Sequence, residues 1–74
     1  MNEQQFFERN RELDFDDEDV LQIKTKNQEV FTGTFSCYTS AADNEPNPAE
    51  VCLYGNRGEW IIPLADIVSI EKIS

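Results

Sequence analysis

The 74-residue chain has no histidine, and it has only two cysteines, three glycines and three prolines. The lack of histidine excludes the Ser-His-Asp and Cys-His sets that activate nucleophiles. It also leaves any metal site to carboxylates and two thiols, which are too few for a structural zinc ion. No glycine-rich loop for phosphate is present. We therefore expect a protein that is not an enzyme and that has no cofactor or metal ion.

Long apolar runs are missing as well, so no segment approaches the roughly 20 residues needed to span a membrane. The polar, acidic opening of the chain is unlike a secretion signal, and we expect a cytoplasmic location. In that compartment Cys37 and Cys52 are expected to be free thiols in the core. If their strands pair, the two sulfur atoms would be close enough to form a disulfide under oxidation, and the sequence leaves that open.

Positive charge is scarce, with six basic residues against fifteen acidic ones and a net charge of −9. Such a balance argues against nonspecific binding to nucleic acid phosphates. Residues 1–19 carry eight of the acids and only two arginines, so most of the net charge lies in this segment. Residues 20–74 are only mildly acidic. The charge thus divides the chain into an acidic N-terminal segment and one small domain.

Five acids follow one another closely, and they form a candidate partner-binding surface: Asp14, Asp16, Asp17, Glu18 and Asp19. A calcium loop needs a glycine turn that this cluster lacks. The simplest interpretation is a solvated acidic connector. Two functional interpretations stay open, a surface for a basic partner protein and a mimic of nucleic acid phosphates. We favour the basic partner, because the charge is concentrated here.

The N-terminal segment is predicted to form a helix over residues 2–13. Asn2 is a good N-cap, and Gln5 completes a capping box with it. Phe6 and Leu13 lie on one face, and a helix this short must pack that face on the rest of the protein. Phe15 is predicted to fix the acidic connector to the domain rather than to face solvent.

From Val20 onward the apolar residues alternate with polar ones, which predicts strands. The expected strands cover residues 20–26, 30–38, 51–54, 59–63 and 67–73, with a loop at 40–50 and one helical turn at 64–66. Gly33 is expected to mark a bend or a close backbone approach. Phe31, Gly33, Phe35 and Cys37 are predicted to share a face. The predicted core contains Leu21, Ile23, Phe31, Phe35, Val51, Leu53, Ile62, Leu64, Ile67 and Ile70.

The spacing of Leu21, Ile23, Phe31, Gly33 and Phe35 resembles the opening half of Sm-like barrels, and many SH3-like small barrels would satisfy the same pattern. The segment from Ile62 to Ile70 is similar to the end of YolD-like bacterial domains. The resemblance covers about residues 20–73. It implies an all-β fold, a five-stranded Sm-like barrel with a short N-terminal α-helix.

The same resemblance implies rings that hold single-stranded RNA, and it matches Asp43-Asn44 to an RNA-contacting loop of the family. Arg57-Gly58 precedes the fourth strand, whereas the family's basic-glycine pair follows it, so that role is not transferred. The loop at 40–50 also lacks an aromatic or basic residue on which a base would stack. RNA binding is therefore the second interpretation, behind a protein partner.

Three aromatic residues are candidates for partner contacts. Trp60 could act as an exposed aromatic residue of the kind that binds extended peptides. We favour the simpler interpretation that it packs over the core. Tyr38 and Tyr54 end their strands and would flank a shared groove. Ile73, on the last strand, is the candidate for self-assembly through a strand edge. We expect a non-catalytic binding module whose partner is another protein or a second copy, or alternatively an acidic inhibitor of a nucleic acid-binding protein.

Overall fold

Five antiparallel strands form a single sheet, and one helix precedes them. The computed structural model describes all residues 1–74. The elements are α1 (Glu3–Leu13), β1 (Val20–Thr25), β2 (Val30–Thr39), β3 (Glu50–Gly55), β4 (Gly58–Pro63), a 3₁₀ turn (Leu64–Asp66) and β5 (Ile67–Lys72). The strand order is β4-β3-β2-β1-β5. The predicted mostly-β architecture with a short N-terminal helix is confirmed, whereas β4 and β5 do not pair and the sheet stays open.

Helix α1 begins where the capping residues predict. The Asn2 side chain accepts from the Gln5 N–H at 2.8 Å, and the Gln5 side chain accepts from the Asn2 N–H at 2.8 Å. Both bonds satisfy N–H groups that the first helical turn leaves free. The helix ends at Asp14, which is left-handed (φ 52°) and donates its N–H to the Asn10 carbonyl. With 11 residues, α1 is far shorter than the helix that a membrane crossing requires.

The core lies on the inner face of the curved sheet, where the alternating residues of β1 and β3 point. Leu21, Ile23 and Leu53 are fully buried there. Nine of the ten predicted core residues are buried, and Phe31 is only partly buried because it packs beside Trp60, with ring centroids 5.8 Å apart. Three residues outside the prediction complete the cluster: Phe6, Phe15 and Ala49. The N-terminal segment thus supplies two aromatic rings to the core.

Gly33 lies at the close backbone approach that the sequence predicts. A Cβ atom at this position would be 2.5 Å from the Tyr54 carbonyl oxygen of the neighbouring strand. Because the obstacle is backbone, a side chain cannot be accommodated by a rotamer change. The glycine therefore lets β2 and β3 approach each other at the point where the sheet curves.

The expectation that Cys37 lies in the core is wrong. A register shift between Phe35 and Cys37 inserts one extra residue into β2 opposite β3. A β-bulge of this kind reverses the alternation of side chains beyond it. Cys37 is consequently exposed, and Tyr38 turns inward and packs against the core in its place. The other cysteine, Cys52, is buried, but it lies on the outer face opposite Cys37 and outside the core cluster.

Candidate functional site

The acidic connector between α1 and β1 has a fixed backbone. Phe15 is buried, and its ring meets those of Phe6 and Phe35 edge-on at centroid distances of 6.0 and 5.1 Å. The Asn10 side chain donates to the Phe15 carbonyl at 3.0 Å. The predicted anchoring role of Phe15 is confirmed. The carboxylates on either side of it are thus held in place by a residue that contributes no charge.

Backbone pairing to β2 places the second half of the connector beside the sheet. The Glu18 N–H donates to the Phe35 carbonyl at 3.1 Å, and the Phe35 N–H donates to the Asp19 carbonyl at 2.8 Å. The Asp19 carboxylate accepts from the Asp16 N–H at 2.8 Å and forms an ion pair with Lys72 at 3.5 Å. Asp19 is therefore a structural carboxylate within the cluster.

The carboxylates of Asp14, Asp16, Asp17 and Glu18 form no ion pair. All four of these residues are exposed. Glu18 has a positive φ of 76°, which is uncommon for a residue with a Cβ, and the two backbone bonds to Phe35 hold the segment there. Negative charge without a partner is thus concentrated on a segment that has little conformational freedom.

An open groove of about 420 Å³ joins part of this cluster to the outer face of the sheet. Its walls combine the connector with β2 and β3: Asp17, Glu18, Thr34, Phe35, Ser36 and Tyr54. The Tyr54 side chain is 52% exposed. The fold therefore brings three of the predicted partner-binding residues, Asp17, Glu18 and Tyr54, into one site, although the connector and β3 are far apart in sequence. We call this site the acidic groove.

The other predicted residues lie elsewhere. Trp60 is half-buried, and its ring lies against Gly55 and Phe31, which is the packing role favoured from the sequence. Tyr38 stacks on Phe6 with centroids 4.5 Å apart, and its hydroxyl donates to the Glu3 carboxylate. Ile73 is exposed near the end of the chain and donates its N–H to the Val20 carbonyl at 2.8 Å. None of these three lines the acidic groove.

The environment of Tyr38 changes its acidity. Burial, followed by the hydrogen bond to Glu3 and the charge of Glu3, raises the pKa of the Tyr38 hydroxyl above its ordinary value of 10.0. The hydroxyl is therefore a neutral donor at physiological pH. The hydrogen bond from the Tyr38 hydroxyl to Glu3 connects the first turn of α1 to β2, so Tyr38 helps to dock the helix on the sheet.

The two cysteines face each other on the outer surface of the sheet, as partners across β2 and β3. Burial and the adjacent Cys37 thiol raise the pKa of Cys52 to about 12. Glu59 and Glu50 add a smaller contribution of the same sign. Both thiols are free in the structure. No group of three or more histidine, cysteine, aspartate or glutamate side chains is arranged to hold a metal ion.

Nothing in the sequence marks Thr34 and Ser36 as residues of the groove, which both of them line. Short hydroxyl residues on a strand carry no distinctive signal, and their part in the groove depends on the position of the connector. The proximity of Tyr54 to Asp17 could not be predicted from the sequence either, because it results from the Glu18–Phe35 backbone pairing. Comparison of the chain with protein-family models, with curated proteins and with solved structures gives no match.

Proposed function

We propose that the protein is a non-catalytic binding module that recognises a basic segment of another protein in the acidic groove. The observation that carries the proposal is the juxtaposition of unpaired carboxylates with the exposed Tyr54 ring. A lysine or arginine side chain placed there would meet carboxylate oxygens and an aromatic face. Its charge and its long aliphatic stem would both find a complement.

The magnitudes favour a salt-sensitive interaction. A cation over an exposed aromatic ring contributes about 0.5–1 kcal/mol, and an exposed ion pair contributes about the same. Two or three such contacts give useful affinity only when they act together with the net charge of −9, which attracts basic partners over a longer distance. Binding should therefore weaken as ionic strength rises, because the Debye length shortens.

The fold assignment within this proposal is Sm-like, with the five-stranded sheet left open between β4 and β5. The strand order β4-β3-β2-β1-β5, the preceding helix and the 3₁₀ turn before β5 support it. RNA binding, which the same resemblance implies, ranks second because the net charge opposes phosphate contacts. The acidic inhibitor of a nucleic acid-binding protein would use the same carboxylates, and it differs from the leading proposal in the nature of the partner.

A titration with a short polyarginine peptide, followed by NMR chemical shifts, tests the proposal. We expect the largest shifts at Asp17, Glu18 and Tyr54. The double variant Asp17→Asn, Glu18→Gln should weaken binding about tenfold, which corresponds to about 1.4 kcal/mol. The matched control is Asp43→Asn, Glu45→Gln, which removes the same two charges from the exposed loop before β3.

Equal losses in the two double variants would mean that only the net charge matters, and the groove would be rejected as a site. Tyr54→Ala separates the aromatic contribution, since it changes no charge and removes a half-exposed ring. We expect it to weaken binding several-fold without changing the melting temperature. Titration with a single-stranded RNA homopolymer at low salt addresses the second interpretation, and binding to it with shifts in the loop at 40–50 would place RNA first.

A further inference from the structure

The sheet has two edges, and the helix covers only one of them. At β5 the main-chain nitrogen of Met1 donates to the Ile67 carbonyl at 2.8 Å, and the Arg9 Nε donates to the Ile70 carbonyl at 2.9 Å. Arg9 also forms an ion pair with Glu71 at 3.1 Å. A register shift opposite Lys24 and Thr25 makes the start of β5 irregular as well. Covering and bulging are both known ways to prevent strand addition at an edge.

The β4 edge has no such cover. The bond from the Leu64 N–H to the Ala49 carbonyl fixes the phase of the β3–β4 pairing, so that even-numbered residues of β4 bond to β3. Glu59 and Ile61 then direct their N–H and C=O groups away from the sheet, and Pro63 directs a carbonyl alone. No side chain of the protein bonds to these groups, and Ile61 is 56% exposed.

We propose that two copies of the chain associate through their β4 edges into a symmetric dimer. The second copy fits because an edge used twice by the same strand makes an isologous contact that closes at two subunits. A ring built by pairing β4 of one copy with β5 of the next would require the β5 edge that α1 covers. The dimer does not depend on the acidic groove, and either proposal can fail without the other.

The charges select one register. With Ile61 on the two-fold axis, antiparallel β4 strands place Ile61 opposite Ile61 and Glu59 opposite Pro63. The two Ile61 residues exchange both backbone hydrogen bonds, and each Glu59 N–H donates to a Pro63 carbonyl, so the missing proline N–H is not required. A register centred on Glu59 would place two like charges opposite each other, which is unfavourable.

The chosen register also extends an apolar stripe on the outer face. Cys37, Cys52 and Ile61 are successive cross-strand partners over β2, β3 and β4. In the dimer the stripe would continue from one Ile61 to the other and on through the second copy. The contact is small for a protein interface, so we expect a reversible monomer–dimer equilibrium rather than a permanent dimer.

Sedimentation velocity over micromolar to millimolar concentrations tests the proposal. The protein should shift from monomer to dimer and form nothing larger. Ile61→Lys places two positive charges opposite each other at the axis, and we expect dimerisation to weaken at least tenfold. The matched control is Val68→Lys, which adds the same charge at a residue that is 62% exposed on β5. The control should dimerise like the unaltered protein.

Glu59→Gln distinguishes the registers. It should leave the dimer nearly unchanged if Ile61 lies on the axis, and it should strengthen the dimer if Glu59 does. A protein that stays monomeric at millimolar concentration would overturn the proposal. So would assemblies beyond the dimer, or equal effects of Ile61→Lys and Val68→Lys. A marked strengthening by Glu59→Gln would reject the register centred on Ile61.

Discussion

The two edge strands of this sheet are each six residues long, yet only one of them is covered by another part of the protein. The β5 edge receives two hydrogen bonds from the N-terminal segment and an ion pair from Arg9. The β4 edge has only Pro63, which removes one N–H at its end. The helix therefore covers one edge of the sheet in addition to extending the core. It leaves the β4 edge uncovered, and in the proposed dimer association through that edge would end at a closed pair.

The largest expected effect comes from removing the ring that holds the helix in place. Phe6 is buried and stacks on Tyr38, and Phe6→Ala should lower the free energy of unfolding by about 3–5 kcal/mol. Urea unfolding measures this loss. The control is Phe7→Ala, because the Phe7 side chain is 54% exposed and should cost less than about 1 kcal/mol. Similar costs for the two variants would show that α1 is not docked through Phe6.

Arg9→Ala should reduce stability less than Phe6→Ala, but it should directly remove the difference between the two edges by uncovering β5. The variant removes the hydrogen bond to the Ile70 carbonyl and the ion pairs with Glu71 and Glu12. We expect a loss of about 1–2 kcal/mol, since Arg9 is partly exposed and its ion pairs are screened. With β5 uncovered, particles larger than a dimer should appear in sedimentation. Arg11→Ala removes the same charge from an exposed position of the same helix and should do neither.

A third prediction concerns alkaline pH. The pKa of Tyr38 is raised in the folded protein, so the folded state keeps its proton after the unfolded chain has lost it. The stabilisation is therefore complete below the ordinary value of 10.0 and is lost as pH rises above it. Urea unfolding at increasing pH should show a steeper loss of stability for the unaltered protein than for Tyr38→Phe. Parallel pH profiles would contradict the docking role given to Tyr38.

The smallest expected effect is chemical and leaves stability unchanged. Iodoacetamide at mildly alkaline pH should alkylate Cys37 first, because it is exposed. Cys52 should resist, since it is buried and its pKa is raised to about 12, and the thiolate is the reactive form. Peptide mass spectrometry measures the two rates. As Cys52 is the cross-strand partner of Ile61, its rapid alkylation would indicate that the β4 side opens easily, against the ordered edge described here.

The parts of the fold that follow from local chemistry were predictable. Asn2 and Gln5 form a capping box in any helix that starts there, and the alternation of Leu21, Ile23 and Thr25 requires a half-buried strand. The bulge before Cys37 was not predictable, because the extra residue is defined only by the pairing of β2 with β3. The same holds for Arg9, whose Nε bonds to a carbonyl 61 positions away.

The candidate site was predictable only in part, for a similar reason. The acidic cluster is visible as composition, whereas its separation into the paired Asp19 and the unpaired Asp17 and Glu18 depends on Lys72 and Phe35. Tyr54 was noticed as an aromatic residue at a strand end. Its membership in the acidic groove results from the connector lying along β2, a tertiary contact that neither segment encodes alone.

Hydrogen exchange of individual backbone amides, measured by NMR at several protein concentrations, tests the difference between the two edges most directly. We expect the amides of Glu59 and Ile61 to exchange rapidly in dilute solution and to become protected as concentration rises. The amide of Ile70, on the covered edge, should show no such dependence. Protection that rises equally on β4 and β5, or on β5 alone, would rule out association through the β4 edge.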